Sequence, residues 1–382
     1  MQSENHQLQE TGSYEIDSLI STILWHKQSQ QGDRIFISDW KGRLHILRSF
    51  EPGSRLKPLV SNKELIDCPI LSMDINRSKE AGSNDQLIIG TAEGILGIYH
   101  VELEKLQVIG QDREKRSIAK VISIQDSPLI FTFSWEGFMT IWNSSEKECQ
   151  FVHPLKANLI TAEYVHPYIA ILFGNNEIAF IDVVTYSQGS SIKRKPIGYN
   201  EPIRSMAFYG KNIEYLAFGD IYGGIKVLKR KSDKEDLKGL SLIYSNKTLI
   251  DCDYDAVFSY KAHCTKIPQE VKEKHMLNPK IDRVVFPVKA LDFNPRNPTI
   301  VASAGGDWSI YIADIDSEKG NQNNSYIKNS KVCPFTGQFT HLKYNEEGKA
   351  LITVEKDGQD VNFKETDVSK LRSTVRLLKF LQ

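Results

Sequence analysis

The chain has 382 residues and a mass of 43.5 kDa, enough for two ordinary domains or one closed repeat architecture. Its 48 Lys and Arg are balanced by 48 Asp and Glu, which removes the sequence-independent pull towards nucleic acid or an anionic membrane that a basic surplus gives. With 40% hydrophobic and 25% charged residues the composition is globular, and no apolar run approaches the roughly 18 to 20 residues that span a bilayer.

Short runs rich in Ile, Leu, Val, Phe and Tyr recur along the chain, each broken by a polar or Gly turn and followed by a second apolar run. In order they are 34–48 (RIFISDWKGRLHILR), 86–101 (QLIIGTAEGILGIYHV), 129–142 (LIFTFSWEGFMTIW), 168–183 (YIAILFGNNEIAFIDV), 215–228 (YLAFGDIYGGIKVL), 300–314 (IVASAGGDWSIYIAD) and a weaker 350–363 (ALITVEKDGQDVNF). The turns at Gly42, Gly94, Gly137, Asn176, Gly224, Asp307 and Gly358 are spaced by 52, 43, 39, 48, 83 and 51 residues, mostly near the period of a four-stranded propeller blade. The long interval is filled by two charged segments, 229–238 and 265–283, which suit a surface insertion around 229–283. A further short strand precedes several hairpins, as in 70–75 (ILSMDI), 118–124 (IAKVISI), 203–208 (IRSMAF), 288–293 (VKALDF) and 340–344 (THLKY).

Strand then hairpin, seven times over, predicts an all-β, seven-bladed β-propeller forming one domain over residues 1–382, and not a pair of β-sandwiches. A closed ring leaves no long exposed sheet edge. An N-terminal strand near Gln7–Tyr14 is expected to complete the last blade.

Motifs for catalysis are absent: there is no Gly-x-Ser-x-Gly elbow, His-Glu-x-x-His helix, phosphate loop or dinucleotide fingerprint. Five scattered cysteines make no disulfide framework and no Cys-x-x-Cys zinc pair, and His263 beside Cys264 has no tight ligand pair to join. The reading is a non-enzymatic protein of a reducing compartment, cytosolic or nuclear, with no metal and no cofactor. A propeller hydrolase would need a polar cluster at the channel mouth that the sequence does not assemble. The dense basic clusters, 193–195 and 229–231, lack interleaved aromatics for base stacking, and acidic residues follow the second at once, so direct nucleic-acid binding is not expected.

Trp40 in SDWKG and Trp135 in SWEGF hold equivalent places just before the hairpin turns of their blades. A large aromatic at a strand end is either an interface anchor or a packing residue under a loop, and position alone does not separate the two. Trp142, inside a strand, reads as core. Lys261 ends a strand and Arg296 lies in a Pro-x-x-Pro turn, so both are candidates for gripping an anionic group at the propeller rim.

The paired turns SDWKG and SWEGF, the stretch FSYKAH leading into FPVKALDFNPR, and the strand PIRSMA together resemble the WD-repeat propeller of the spindle assembly checkpoint that partners the Bub kinase. Its sister family is the nuclear-pore mRNA-export propeller. The resemblance runs from about Ile16 to Val361, carried by the order and spacing of motifs. It implies a kinetochore and nuclear localisation and a monomer within hetero-complexes, with no membrane partner. The implied partners are a checkpoint kinase and a related protein that present a helical GLEBS segment, and a kinetochore scaffold with phosphorylated Met-Glu-Leu-Thr repeats. The export alternative implies a nucleoporin GLEBS segment instead. Carried over residue by residue, Trp40 and Trp135 become anchors, Lys261 and Arg296 hold phosphate or acidic groups, and Arg204 is a further contact. One departure stands out: where the family has Asp-Gly-Arg-Val at the fifth turn, this chain reads Tyr222-Gly223-Gly224-Ile225, and Lys226, on the same strand face as Gly224, is the candidate replacement charge.

Overall fold

The computed structural model describes residues 8–26, 33–49, 56–77, 86–184, 186, 192–210, 213–231, 254–266, 283–307, 309–315, 337–357 and 372–380, and every regular element among them is a strand. The turn at Gly358, residue Gln7 and most of the insertion lie outside the described residues.

Strand β1 (Leu8–Ile16) precedes a series of antiparallel four-stranded blades. Blade one is β2 (Ile20–His26), β3 (Asp33–Asp39), β4 (Arg43–Ser49) and β5 (Lys57–Glu64). Blade two is β6 (Ile70–Ile75), β7 (Gln86–Thr91), β8 (Ile95–His100) and β9 (Lys105–Gln111). Blade three is β10 (Lys120–Ser123), β11 (Leu129–Phe133), β12 (Phe138–Asn143) and β13 (Glu148–Pro154). Blade four is β14 (Leu159–Val165), β15 (Tyr168–Phe173), β16 (Glu177–Asp182) and β17 (Arg194–Pro196). Blade five is β18 (Ile203–Tyr209), β19 (Tyr215–Asp220), β20 (Gly224–Arg230) and β21 (Tyr254–Lys261). A ribbon of β22 (Cys264–Lys266) and β23 (Arg283–Val285) then leads to blade six, which has three strands among the described residues: β24 (Val288–Asn294), β25 (Asn297–Gly305) and β26 (Ile310–Asp314). Blade seven is β27 (Gly337–Tyr344), β28 (Ala350–Asp357) and β29 (Ser373–Phe380), with β1 antiparallel to β29 as its outer strand.

The innermost strands β2, β6, β10, β14, β18, β24 and β27 pack each against the next and β27 returns to β2, which closes the ring. Alternation along each middle strand feeds two cores at once. In β3, Ile35 and Ile37 face the core shared with blade seven, while Phe36 faces the core shared with blade two. Seven apolar clusters result, one between each pair of neighbouring blades. Each fully buried Ile, Leu or Phe in them contributes about 1.5–3 kcal/mol of burial free energy before entropy is counted. Trp142 lies in one such core, 3% exposed, with Nε1 donating to Thr132 Oγ1 at 3.0 Å. Serines on innermost strands tie blades together: Ser72 Oγ donates to Ile118 O at 3.1 Å and Ser205 Oγ to Val288 O at 3.1 Å.

Candidate partner-binding face

The turns between the second and third strands of the blades all emerge on one face of the ring, and a short polar residue closes many of them. Asp39 Oδ1 accepts from the backbone N–H of Lys41 and Arg43 at 2.9 and 3.0 Å, and Asp220 Oδ1 from those of Tyr222 and Gly224 at 2.8 and 2.7 Å. In blade three Ser134 Oγ accepts from Phe138 N at 3.3 Å. The Gly that follows is obligatory at these turns, as two of them illustrate. Gly42 and Gly137 have φ of +72° and +82°, and a Cβ on either would overlap a backbone carbonyl, of Ile66 or of Ala157, in the loop entering the next blade.

This geometry lifts Trp40 and Trp135 out of the blade edge. Their backbones are engaged, Trp40 N donating to Leu19 O at 2.9 Å and Trp135 O accepting from Leu159 N at 3.1 Å, while each residue stays 47% exposed. Tyr222, on the equivalent turn of blade five, is 42% exposed. Three large aromatics on alternate blades therefore share one face, and Tyr222 was missed from sequence because the turn was read for its absent Arg.

Blade five explains that absence. Tyr199, in the loop entering the blade, donates its hydroxyl to Asp220 Oδ2. A Cβ at Gly224 would overlap that carboxylate oxygen and come within 3.0 Å of the Tyr199 hydroxyl, so the position is glycine because the Asp220 carboxylate, held there by Tyr199, fills the space. Burial, then the hydrogen bond to Asp220, pushes the Tyr199 phenol well above its ordinary range and keeps it protonated. Lys226 Nζ lies 5.1 Å from the Tyr199 ring centroid, a cation–π contact. Gly224 pairs with Lys261 and Lys226 with Ser259, which sets Lys226 and exposed Lys261 diagonally on one sheet face.

Arg204 is exposed at the start of β18, on the same ring face and at the channel mouth. Arg296 is not with these residues. It lies in the turn joining β24 to β25, where its backbone N–H is held by Asn294 Oδ1 at 2.9 Å, and a first-to-second-strand turn emerges at the opposite end of the ring. Lys261 and Arg296 therefore cannot hold one group together.

His263 enters a network instead of a metal site. Wholly buried, its Nδ1 lies 2.6 Å from Asp307 Oδ1 and its Nε2 2.9 Å from Ser303 Oγ, with the edge of the Tyr311 ring at 4.7 Å between centroids. Among the described residues no three His, Cys, Asp or Glu side chains gather as a metal would require. In the basic stretch 193–195, Arg194 pairs with Glu177 at 3.1 Å and lies over the Phe173 ring, which neutralises part of its field.

No protein-family model matches the chain, and no curated protein matches its sequence. Solved structures do match: one titled "Crystal structure of RRP9 WD40 repeats" aligns with a TM-score of 0.63 over 98% of this chain and 100% of that chain, at 12% identity. At that identity the likeness is one of fold alone. The chain has the seven-bladed β-propeller fold, which it shares with those WD40 repeats.

Proposed function

We propose that the chain is a non-enzymatic scaffold of the spindle assembly checkpoint. Its aromatic face, with Lys226, binds the helical GLEBS segment of a checkpoint kinase and its relative, and Lys261 receives the phosphate of Met-Glu-Leu-Thr repeats on a kinetochore scaffold. The observation that supports this reading is the pair Trp40 and Trp135, half-exposed on rigid, equivalent turns of one ring face that also presents Lys226, Lys261 and Arg204. An aromatic whose backbone is fixed and whose ring is exposed contributes buried area on binding with little entropy left to lose. Arg296 takes no part, because it is at the other end of the ring. The protein acts in the nucleus and at kinetochores, as a monomer inside hetero-complexes.

The test is affinity purification of tagged protein from mitotically arrested cells, wild type beside the Trp40→Ala, Trp135→Ala double variant. Recovery of a checkpoint kinase and a kinetochore scaffold by wild type only is the expected result. Recovery of a nucleoporin moves the chain to mRNA export, and recovery of neither refutes both readings.

A further inference from the structure

The channel through the ring carries a feature that repeats from blade to blade. Near the start of the innermost strand, one residue is extra to the pairing with the second strand. In blade five Ile203 pairs with Asp220 but Ser205 with Gly219, leaving Arg204 over; in blade six Val288 pairs with Gly305 but Ala290 with Ala304, leaving Lys289 over. Ser21, Leu71, Ile160 and Thr340 hold the same place in blades one, two, four and seven. A bulge of this kind re-aims a side chain, and at Arg204 and Lys289 the residue is exposed at the aromatic-face end of its innermost strand.

Four of these six bulge residues are uncharged, and the two cations are neighbours. Strands β18 and β24 pack together, and both Arg204 and Lys289 are exposed at their ends. Lys356, near the end of β28 in blade seven, adds a third positive charge that acts on Lys289. Desolvation by the channel wall, then Arg204, then Lys356, pushes the Lys289 ammonium below its ordinary range. Among the described residues, no carboxylate pairs with any of the three.

Elsewhere in the channel the balance is different. Lys120 Nζ meets Glu163 Oε1 at 2.9 Å and Lys343 Nζ meets Asp292 Oδ1 at 2.9 Å, each cation facing its own carboxylate. The fold thus neutralises the inner channel and leaves the mouth positive. Arg204, Lys289 and Lys356 stand at the aromatic-face ends of β18, β24 and β28 in three successive blades whose innermost strands pack together, and an oxyanion among them offsets their mutual repulsion while gaining charge-assisted hydrogen bonds.

We infer that Arg204, Lys289 and Lys356 form a binding site for a phosphate group at the channel mouth. The site is separate from Lys226 and Lys261 and stands whether or not the partners are checkpoint proteins. The phosphate arrives either on a free compound or on a phosphorylated side chain of a partner, and the two sources share the same recognition.

The test is mass-spectrometric footprinting of the full chain with an amine-acylating reagent, with and without pyrophosphate, and with a phosphothreonine peptide beside its unphosphorylated twin. Protection of Lys289 and Lys356 by pyrophosphate alone assigns a free phosphate compound; protection by the phosphopeptide alone assigns a phosphorylated partner; either supports the site. Lys289→Gln should weaken the bound probe about tenfold, Lys289→Arg should restore it, and Arg296→Gln, at the opposite end of the ring, should leave it unchanged. Lys289 is exposed and relieved of repulsion by the change to Gln, so an unaltered melting curve is expected to accompany the loss. Acylation unaffected by either probe, or protection that survives Lys289→Gln, overturns the site. Loss of partner binding in Lys261→Gln with footprints intact would bear on the checkpoint reading only.

Discussion

Blades five and six each set an aspartate at the corresponding turn, Asp220 at the end of β19 and Asp307 two residues past β25, and use it differently. In blade six Asp307 is committed inward: it holds His263, which holds Ser303, with Tyr311 packed edge-on, all of them buried. In blade five Asp220 instead fixes its turn through backbone N–H groups, its outer oxygen takes the hydroxyl of Tyr199, over whose ring Lys226 sits, and Tyr222 of the same turn is exposed. One network spans the connection into its blade, two of its strands and the turn, and serves folding. The other ends at the surface and leaves aromatic and cationic groups facing solvent. A repeated fold can therefore keep a turn rigid everywhere and release only some copies for binding.

The sharpest way to break the comparison is His263→Ala. Two buried hydrogen bonds are lost and Asp307 and Ser303 are left unsatisfied, so a destabilisation of about 3 kcal/mol is expected in denaturant melts. Tyr199→Phe, which removes only a partly buried hydroxyl, should cost clearly less, and an equal loss would mean that the two turns are equivalent.

Acid titration probes a third seam of comparable weight. His341 in blade seven lies 3.1 Å through Nε2 from Ser21 O of blade one, and burial pulls its pKa down to about 4. The folded value lies below the unfolded one of about 6.5, so this stabilisation is whole above that pH and is lost as pH falls towards 4. Melting curves should lose up to roughly 3 kcal/mol over that window, and His341→Gln should flatten the slope.

Gly224→Arg, the residue that the resemblance leads one to expect, should destabilise by about 2 kcal/mol because its Cβ overlaps Asp220 and crowds Tyr199. Smallest in stability is the Trp40→Ala, Trp135→Ala pair, under about 1 kcal/mol in the same melts, since both rings are half in water.

The middle hairpins were legible because alternation between two buried faces forces continuous Ile, Leu, Val and Phe, as in 34–39 and 86–91. Outer strands such as β9 (KLQVIGQ) and β13 (ECQFVHP) were not, because they are held by pairing at the exposed rim and reach the cores through only a few residues such as Ile109 and Phe151. Trp40 and Trp135 were visible as residues out of place in a turn. Arg296 was legible as a turn residue, but turns occur on both faces, and only counting strands from the start of blade six gives a first-to-second turn and hence the far face. Lys289 was invisible as a site residue, since a bulge changes where a side chain points without changing its place in a two-residue period. Tyr199 could have been found only by asking what fills the space at Gly224.

The most direct test of the partner face is an equilibrium titration of a labelled GLEBS peptide against wild type, the Trp40→Ala, Trp135→Ala variant and Arg296→Ala. The account predicts at least about a 30-fold loss of affinity in the double Trp variant, equivalent to about 2 kcal/mol, and no change in Arg296→Ala. Equal affinity in all three proteins, or a loss confined to Arg296→Ala, would contradict it.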